Sequence, residues 1–178
     1  MRKILLSIST ALPNFPSNVQ TPYADKWNIP TIEANICEKG YFLVEKHEFS
    51  AAYALIENTK CWYSFLATKQ YASDPAGAEQ ALQRSSDPMD VCFGLTEFAK
   101  AAAANGNIPD AVRFIDAAQK HCGEKGGYLF GAVQQVARQW TIRDTPRKVV
   151  RWVGSRPSPG QRESALLGVA EALGHPHP

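Results

Sequence analysis

The chain has 178 residues, and its 19 Lys and Arg against 17 Asp and Glu give a formal net charge of +2. Hydrophobic residues make up 44% and charged residues 20%, which is close to the average for globular proteins. This composition excludes a disordered charged tail, a collagen-like chain and a linker. The length predicts one domain with a sizeable core.

The first 29 residues predict an irregular leader. Four of the 12 prolines lie within the first 30 residues, and proline fixes the backbone and removes a hydrogen-bond donor. The leader contains four regularly spaced apolar residues, which are Phe15, Val19, Tyr23 and Trp27. We expect these residues to pack on the domain that follows. In the alternative, the leader is an arm that docks on a partner through Phe15, Tyr23 and Trp27.

Residues 30–174 carry the apolar spacing of α-helices, and the tail at 175–178 cannot continue them. We predict nine helices, at about 30–46, 49–58, 60–72, 75–84, 88–104, 109–120, 128–141, 146–154 and 163–173. Asp74-Pro75 and Asp87-Pro88 each place a capping acceptor before a proline at the first helical position. Because no segment alternates apolar and polar residues for long, the expected fold class is all-α.

Small residues recur near the middle of alternate helices. The intervals between them are 27, 32, 38 and 33 residues, at Gly40, Ala67, Ala99, Ala137 and Ala170. A period of about 34 residues predicts a solenoid of helical hairpins. Where the two helices of a hairpin cross closely, the residue 12 positions later should also be small or β-branched. This holds, once with a one-residue shift, at Ala52, Ala78, Ala111 and Val149.

Four positions further on, a larger apolar side chain is expected to fill the groove, as at Ile56, Leu82, Ile115 and Val153. Over about residues 30–173, this spacing resembles the tetratricopeptide repeat, and residues 137–170 also resemble degenerate hairpin repeats of bacterial helical arrays. The resemblance implies a right-handed α-solenoid of about four hairpins plus a terminal capping helix. It also implies peptide or protein binding along a concave face, and it assigns no functional residue. A generic helical bundle is the alternative.

The last predicted helix, at 163–173, has no hairpin partner. Solenoids usually end in a helix that covers the final apolar face. The helix carries an apolar stripe suited to this role, formed by Ala165, Leu166, Val169, Ala170 and Leu173. We therefore expect the stripe to be buried against the preceding hairpin.

The cysteines show neither a CxxC pair nor the density of a disulfide framework; they are Cys37, Cys61, Cys92 and Cys122. We expect reduced thiols in a cytoplasmic protein. Residues 1–12 contain a basic start and a short apolar run, but polar residues dilute the run and no cleavage site follows. No stretch approaches the roughly 18 apolar residues of a membrane span, so we expect no membrane partner.

No catalytic motif is present, since GxGxxG, P-loop, HExxH and GxSxG patterns are all absent from the sequence. His121 and Cys122 are adjacent, and adjacent helical side chains diverge by about 100°, so they do not form a nucleophile and base pair. Neither these two residues nor His175 and His177 have the ligand spacing of a zinc site. We therefore expect no enzymatic activity, no metal, no cofactor and no small-molecule substrate.

The charges are unevenly distributed. Residues 1–137 carry 12 basic and 14 acidic side chains, and residues 138–178 carry 7 basic and 3 acidic, for net charges of −2 and +4. Arginine makes forked contacts to carboxylate or phosphate. The segment is either a solvated face or a site for an acidic partner, and its candidate residues are Arg138, Arg143, Arg147, Lys148, Arg151, Arg156 and Arg162.

Trp140 and Trp152 lie among these basic residues. Basic residues interleaved with aromatic ones can track a nucleic-acid backbone and stack on bases. We favour the alternative, in which both tryptophans are core residues at equivalent ends of two packed helices.

The leading interpretation is a non-enzymatic helical-repeat module for protein–protein interaction, acting as an adaptor, an accessory subunit or an inhibitor of a larger complex. A concave face would hold a protein segment, and the basic C-terminal quarter would steer an acidic partner toward it. The alternative is nucleic-acid binding by the same basic helices, from Arg138 to Arg162.

Overall fold

The computed structural model describes residues 31–123, 127–144 and 146–174, with side chains from residue 35 onward. Over these residues the chain forms nine α-helices and no strand, so the all-α prediction is confirmed. The leader with Phe15, Tyr23 and Trp27 lies outside the described residues, as does the tail at 175–178.

The helices are numbered in chain order. They are α1 Thr31–Glu45, α2 Phe49–Ile56, α3 Tyr63–Tyr71, α4 Pro75–Leu82, α5 Pro88–Ala104, α6 Ile108–Ala118, α7 Gly127–Arg143, α8 Pro146–Gly154 and α9 Pro159–Gly174. The last helix begins four residues before its predicted start at 163. The hydroxyl of Ser158 accepts a hydrogen bond from the backbone N–H of Gln161 at 3.2 Å, so Ser158-Pro159 is a further cap followed by a proline.

Polar residues ahead of prolines start three other helices as well, and the sequence predicts the caps at Asp74 and Asp87. The side chains of Asp74, Asp87 and Asn107 each accept a hydrogen bond from a backbone N–H two or three residues on, at 2.9, 2.8 and 3.3 Å. The N–H of Gly77 and the side-chain amide of Gln70 hold the pKa of Asp74 below its usual value. Capping of this kind satisfies backbone donors that have no partner inside the helix.

Helices that are neighbours along the chain form pairs, in which α1 packs on α2, α3 on α4 and α5 on α6. The first helices of these pairs also contact one another in order, from α1 through α3 and α5 to α7. The last helix, α9, packs along α7, and α8 contacts both of them. One apolar cluster surrounds the first pair, and a larger one continues from α3 to α9.

The recurring small residues lie at close helix contacts. Gly40 in α1 is buried, and a Cβ atom placed there would lie 2.9 Å from Ile56 Cγ2 in α2. Ala52, twelve residues after Gly40, is also fully buried beside it. Burial is also confirmed at nine other predicted positions, which are Ala67, Ala78, Leu82, Ala99, Ala111, Ile115, Ala137, Val149 and Val153. One predicted position is not buried.

The exception lies in α9, where the predicted stripe is wrong. Ala170 is exposed, and Gly168 is the residue that approaches α7, because a Cβ atom there would overlap the backbone carbonyl of Gln134. Of the five residues expected to be buried, only Ala165 and Val169 are. Leu166 and Leu173 are 50% and 61% exposed. The helix therefore packs on α7 through a different face from the one predicted.

The prediction of four reduced thiols is also wrong. Cys37 is joined to Cys61 and Cys92 to Cys122, with Cα–Cα distances of 5.5 and 4.9 Å. Each disulfide links the first helix of a pair, α1 or α5, to the segment that follows the second helix. Because their separations of 24 and 30 residues match the length of a hairpin, each bond closes one hairpin.

Candidate functional site

Arg143, predicted as a partner-binding residue, is used within the fold. It donates a hydrogen bond from Nη2 to the backbone carbonyl of Ala104 at 2.8 Å, and another to Gln139. Ala104 is the last residue of α5, where unpaired carbonyl groups favour a positive charge. Arg143 therefore caps the C-terminal end of a neighbouring helix.

Three more of the predicted basic residues have partners inside the domain. Arg156 is buried, and its Nη1 lies 2.7 Å from Asp116 Oδ1, while its guanidinium stacks 4.7 Å from the Trp152 ring centroid. Arg162 donates from Nη1 to the backbone carbonyl of Arg156 at 2.8 Å. Lys148 pairs with Asp144 one turn away, at 2.8 Å. The contacts of Arg156 and Arg162 hold the C-terminal end of α8 against α6 and α9.

Three members of the predicted set make no hydrogen bond or ion pair with another described residue, and these are Arg138, Arg147 and Arg151. Arg138 is half-buried on α7, and its Nε is buried without a described partner. Arg147 and Arg151 are exposed on α8, with Val150 between them 51% exposed. Because residues three and four apart share a helix face, Arg147, Val150 and Arg151 form one outward surface of α8.

The two tryptophans of the basic segment pack on each other, which confirms the prediction that they are core residues. Their ring centroids lie 5.8 Å apart. Trp152 is buried, and Trp140 packs against the core from a half-buried position. The two rings are tilted by 54°, and the guanidinium of Arg156 covers one face of Trp152.

Exposed apolar side chains are concentrated toward the C-terminal end of the described chain. Five of its seven exposed large hydrophobic residues follow residue 140, at exposures of 37 to 61%, and these are Ile142, Val150, Leu166, Leu167 and Leu173. The three leucines share one arc of α9 with exposed Ala170. We use the name C-terminal surface for six of the exposed side chains of the last two helices, which are Arg147, Val150, Arg151, Leu166, Leu167 and Leu173.

The sequence carried a signal for this surface that the prediction of a buried stripe overlooked. Leu166 and Leu167 are adjacent, so their side chains point about 100° apart on the helix. A single neighbouring helix covers only one stripe of roughly that width. With Ala165 and Val169 already facing α7, the two leucines have to lie outside the contact.

Two clefts lie elsewhere, on either side of an exposed ion pair in which Arg84 Nη2 is 3.3 Å from Glu57 Oε1. Their volumes are about 640 and 370 Å³. The linings contain no histidine, and Cys61 is tied up in a disulfide. Tyr53 donates to Gln70 Oε1 at 2.9 Å, and burial raises the pKa of its phenol, which keeps it protonated near neutral pH.

Within the described ranges, no group of three His, Cys, Asp or Glu side chains is arranged to hold a metal ion. None of the helices there has the length and apolar character needed to cross a membrane. No protein-family model, curated protein or solved structure matches the chain. The resemblance to tetratricopeptide repeats therefore stays a prediction from residue spacing.

Proposed function

We propose that the chain is a non-enzymatic helical-repeat module that binds an acidic, amphipathic helix of a partner protein on its C-terminal surface. One observation carries this proposal. The last two helices combine exposed leucines with two exposed arginines that have no partner among the described residues. This combination suits a ligand that has an apolar stripe flanked by carboxylates.

The exposed leucines of α9 favour a helix as the ligand. Leu166, Leu167 and Leu173 are half or more exposed and share one arc of the helix. A partner helix laid on this arc would bury them, and each leucine would contribute about 1 kcal/mol from its remaining exposed area.

The net charge of the C-terminal segment favours an acidic ligand. Residues 138–178 carry a net charge of +4, and Asp144 is already paired with Lys148. Glu171 accepts a hydrogen bond from Gln134 at 2.7 Å, which leaves Glu163 as the exposed acid of α9. An acidic partner is therefore attracted to this end of the molecule, and the attraction weakens as salt is added.

We also propose the finer architecture, a right-handed solenoid of about four hairpins that ends in α9. The contacts that run in order from α1 through α3, α5 and α7 to α9 support it. The buried small residues at repeat spacing, such as Gly40, Ala67, Ala99 and Ala137, support it as well.

The two disulfides bear on where the protein works. Reduced cysteines were one reason to expect a cytoplasmic protein, and that reason no longer holds, because all four cysteines are paired. Disulfides form and persist in oxidising surroundings. We therefore propose an oxidising compartment as the site of action, in place of the cytoplasm.

Nucleic-acid binding is less well supported by the same residues. Four of the seven basic side chains are used inside the fold, which leaves few to follow a phosphate backbone. Trp140 and Trp152 pack against each other at a tilt of 54°, and Arg156 covers one face of Trp152. Nucleic acid therefore enters as a competing outcome of the binding test.

The proposal predicts binding of a synthetic peptide of about five helical turns that has leucines along one side and glutamates on both flanks. Fluorescence anisotropy measures its affinity for the purified, oxidised chain. Leu167→Asp is expected to weaken binding about tenfold, because it places a charge in the apolar contact. Arg147→Glu with Arg151→Glu should weaken it by a similar factor and remove most of its salt dependence.

Matched controls separate this surface from general stickiness. Gln80→Asp introduces a charge at an exposed position of α4, and Lys60→Glu with Lys120→Glu reverses two exposed charges elsewhere, so neither variant should change the affinity. A peptide of the same composition without the leucine stripe should not bind. Equal loss in the control variants, no peptide binding, or tighter binding of DNA or RNA that is lost with the Arg147 and Arg151 reversals would overturn the proposal.

A further inference from the structure

A continuous row of aromatic rings crosses the first helices α3, α5 and α7. Trp62 lies 5.7 Å from Phe65 and 6.1 Å from Phe93 between ring centroids. Phe93 lies 5.4 Å from Phe65 and 5.3 Å from Tyr128. We call these four residues the ring row. Tyr128 is 39% exposed and the other three residues are half-buried.

The ring row marks the edge at which the first helices begin. Trp62 immediately precedes α3, Phe93 lies in the second turn of α5, and Tyr128 is the second residue of α7. Since these rings touch, the N-terminal ends of α3, α5 and α7 lie side by side. Met89, one turn before Phe93 on the same helix face, is 42% exposed and adds apolar surface at this edge.

The chain enters α1 from the same edge. The disulfide from Cys37 to Cys61 holds the second turn of α1 beside the residue that precedes Trp62. Thr31, where α1 begins, is six residues before Cys37, a distance of about 9 Å along the helix axis. Whatever precedes Thr31 therefore starts close to the α3 end of the ring row.

The chemistry and length of the segment before Thr31 match the row. Its apolar residues are four apart, at Phe15, Val19, Tyr23 and Trp27, and prolines at 13, 16 and 22 favour an extended backbone. Four extended residues span up to about 13 Å, and packed helices are about 8–10 Å apart. Four extended residues are therefore long enough to place successive apolar side chains of the segment on neighbouring first helices.

We propose that residues 13–29 lie across the ring row of their own chain, with Trp27 nearest Trp62, Tyr23 near Phe93, and Val19 and Phe15 near Tyr128. The chain's own segment is favoured over that of a second copy, because Trp27 is only four residues from α1 and so has a high effective concentration at the row. The segment then acts as a built-in ligand of the first-helix edge. This proposal is independent of ligand binding at the C-terminal surface.

The test places the photo-crosslinking residue p-benzoylphenylalanine at Tyr128 in the full chain. After irradiation, the monomeric product is separated on a denaturing gel and its cross-linked peptides are mapped by mass spectrometry. We expect links from position 128 to residues 15–19. Alanine at Phe15, Val19, Tyr23 and Trp27 together should reduce their yield at least fivefold, whereas alanine at Gln20 and Thr21, polar residues of the same segment, should leave it unchanged.

Leu173 is the matched control position, because it is exposed on α9 rather than at the ring row. The same residue placed there should give no link to residues 13–29. Links from position 128 to Phe93 and its neighbours are expected from the ring contact and do not count against the proposal. The proposal is overturned if position 128 gives no link to residues 13–29, or if its links to this segment appear only in the dimeric product. The proposal is also overturned if the probe at Leu173 links to residues 13–29 with the same yield as the probe at Tyr128.

Discussion

Replacing Cys92 and Cys122 by alanine should lower the free energy of unfolding by about 3–4 kcal/mol, because their bond closes a 30-residue loop in the unfolded chain. Both cysteines are buried, so alanine fits the space without adding polar atoms. The corresponding change at Cys37 and Cys61, which close a 24-residue loop, should cost a similar amount. Urea unfolding followed by circular dichroism measures both losses.

Reduction provides the matched comparison for these variants. Dithiothreitol should destabilise the unsubstituted chain by the sum of the two losses, about 7 kcal/mol, which is a large part of the usual stability of a domain. It should have no effect on a chain that lacks all four cysteines. Four free thiols in the native protein purified without reductant, or an unfolding midpoint that dithiothreitol leaves unchanged, would contradict the disulfide assignment.

Gly168→Ala should destabilise the chain by about 3 kcal/mol, although alanine is normally the better helix residue. A Cβ atom at this position would overlap the carbonyl oxygen of Gln134 and lie 3.1 Å from the backbone nitrogen of Arg138. These are backbone atoms of α7, so they cannot rotate away as a flexible side chain would. The two helices must separate to accept the methyl group.

Gly131 is the matched control, because it lies within α7 and a Cβ atom there would have no neighbour within 4 Å. Gly131→Ala should leave stability unchanged or raise it by up to about 1 kcal/mol, since alanine lowers the entropy of the unfolded chain. Thermal unfolding of the two variants side by side measures the difference. Equal stability of the Gly168 and Gly131 variants would show that α7 and α9 are not packed this closely.

Local signals in the sequence predicted much of the fold. The caps at Asp74 and Asp87 are short-range features that need only two or three neighbouring residues, and they form as expected. The spacing of small residues also held at Gly40, because it follows from two helices that are adjacent along the chain. Both features depend on contacts within a single hairpin.

Contacts between hairpins were not predictable in the same way. Asp90 lies in the first turn of its own helix, yet it is buried and accepts hydrogen bonds from the backbone N–H groups of Tyr63 and Ser64, both at 2.9 Å. It therefore caps α3 from α5. The disulfide partners and the use of Arg143 and Arg156 are equally long-range, since they depend on where separate helices meet. Charge counted along the sequence could not separate these arginines from the exposed Arg147 and Arg151.

The most direct test of the C-terminal surface is a titration of the ¹⁵N-labelled, oxidised chain with the acidic leucine-striped peptide, followed through its amide resonances. We expect saturable shifts at residues 147–151 and 166–173, with the amides of α1 to α4 unchanged. Shifts concentrated at the ring row or beside the Glu57–Arg84 pair, or no shifts at a large excess of peptide, would contradict binding at this surface.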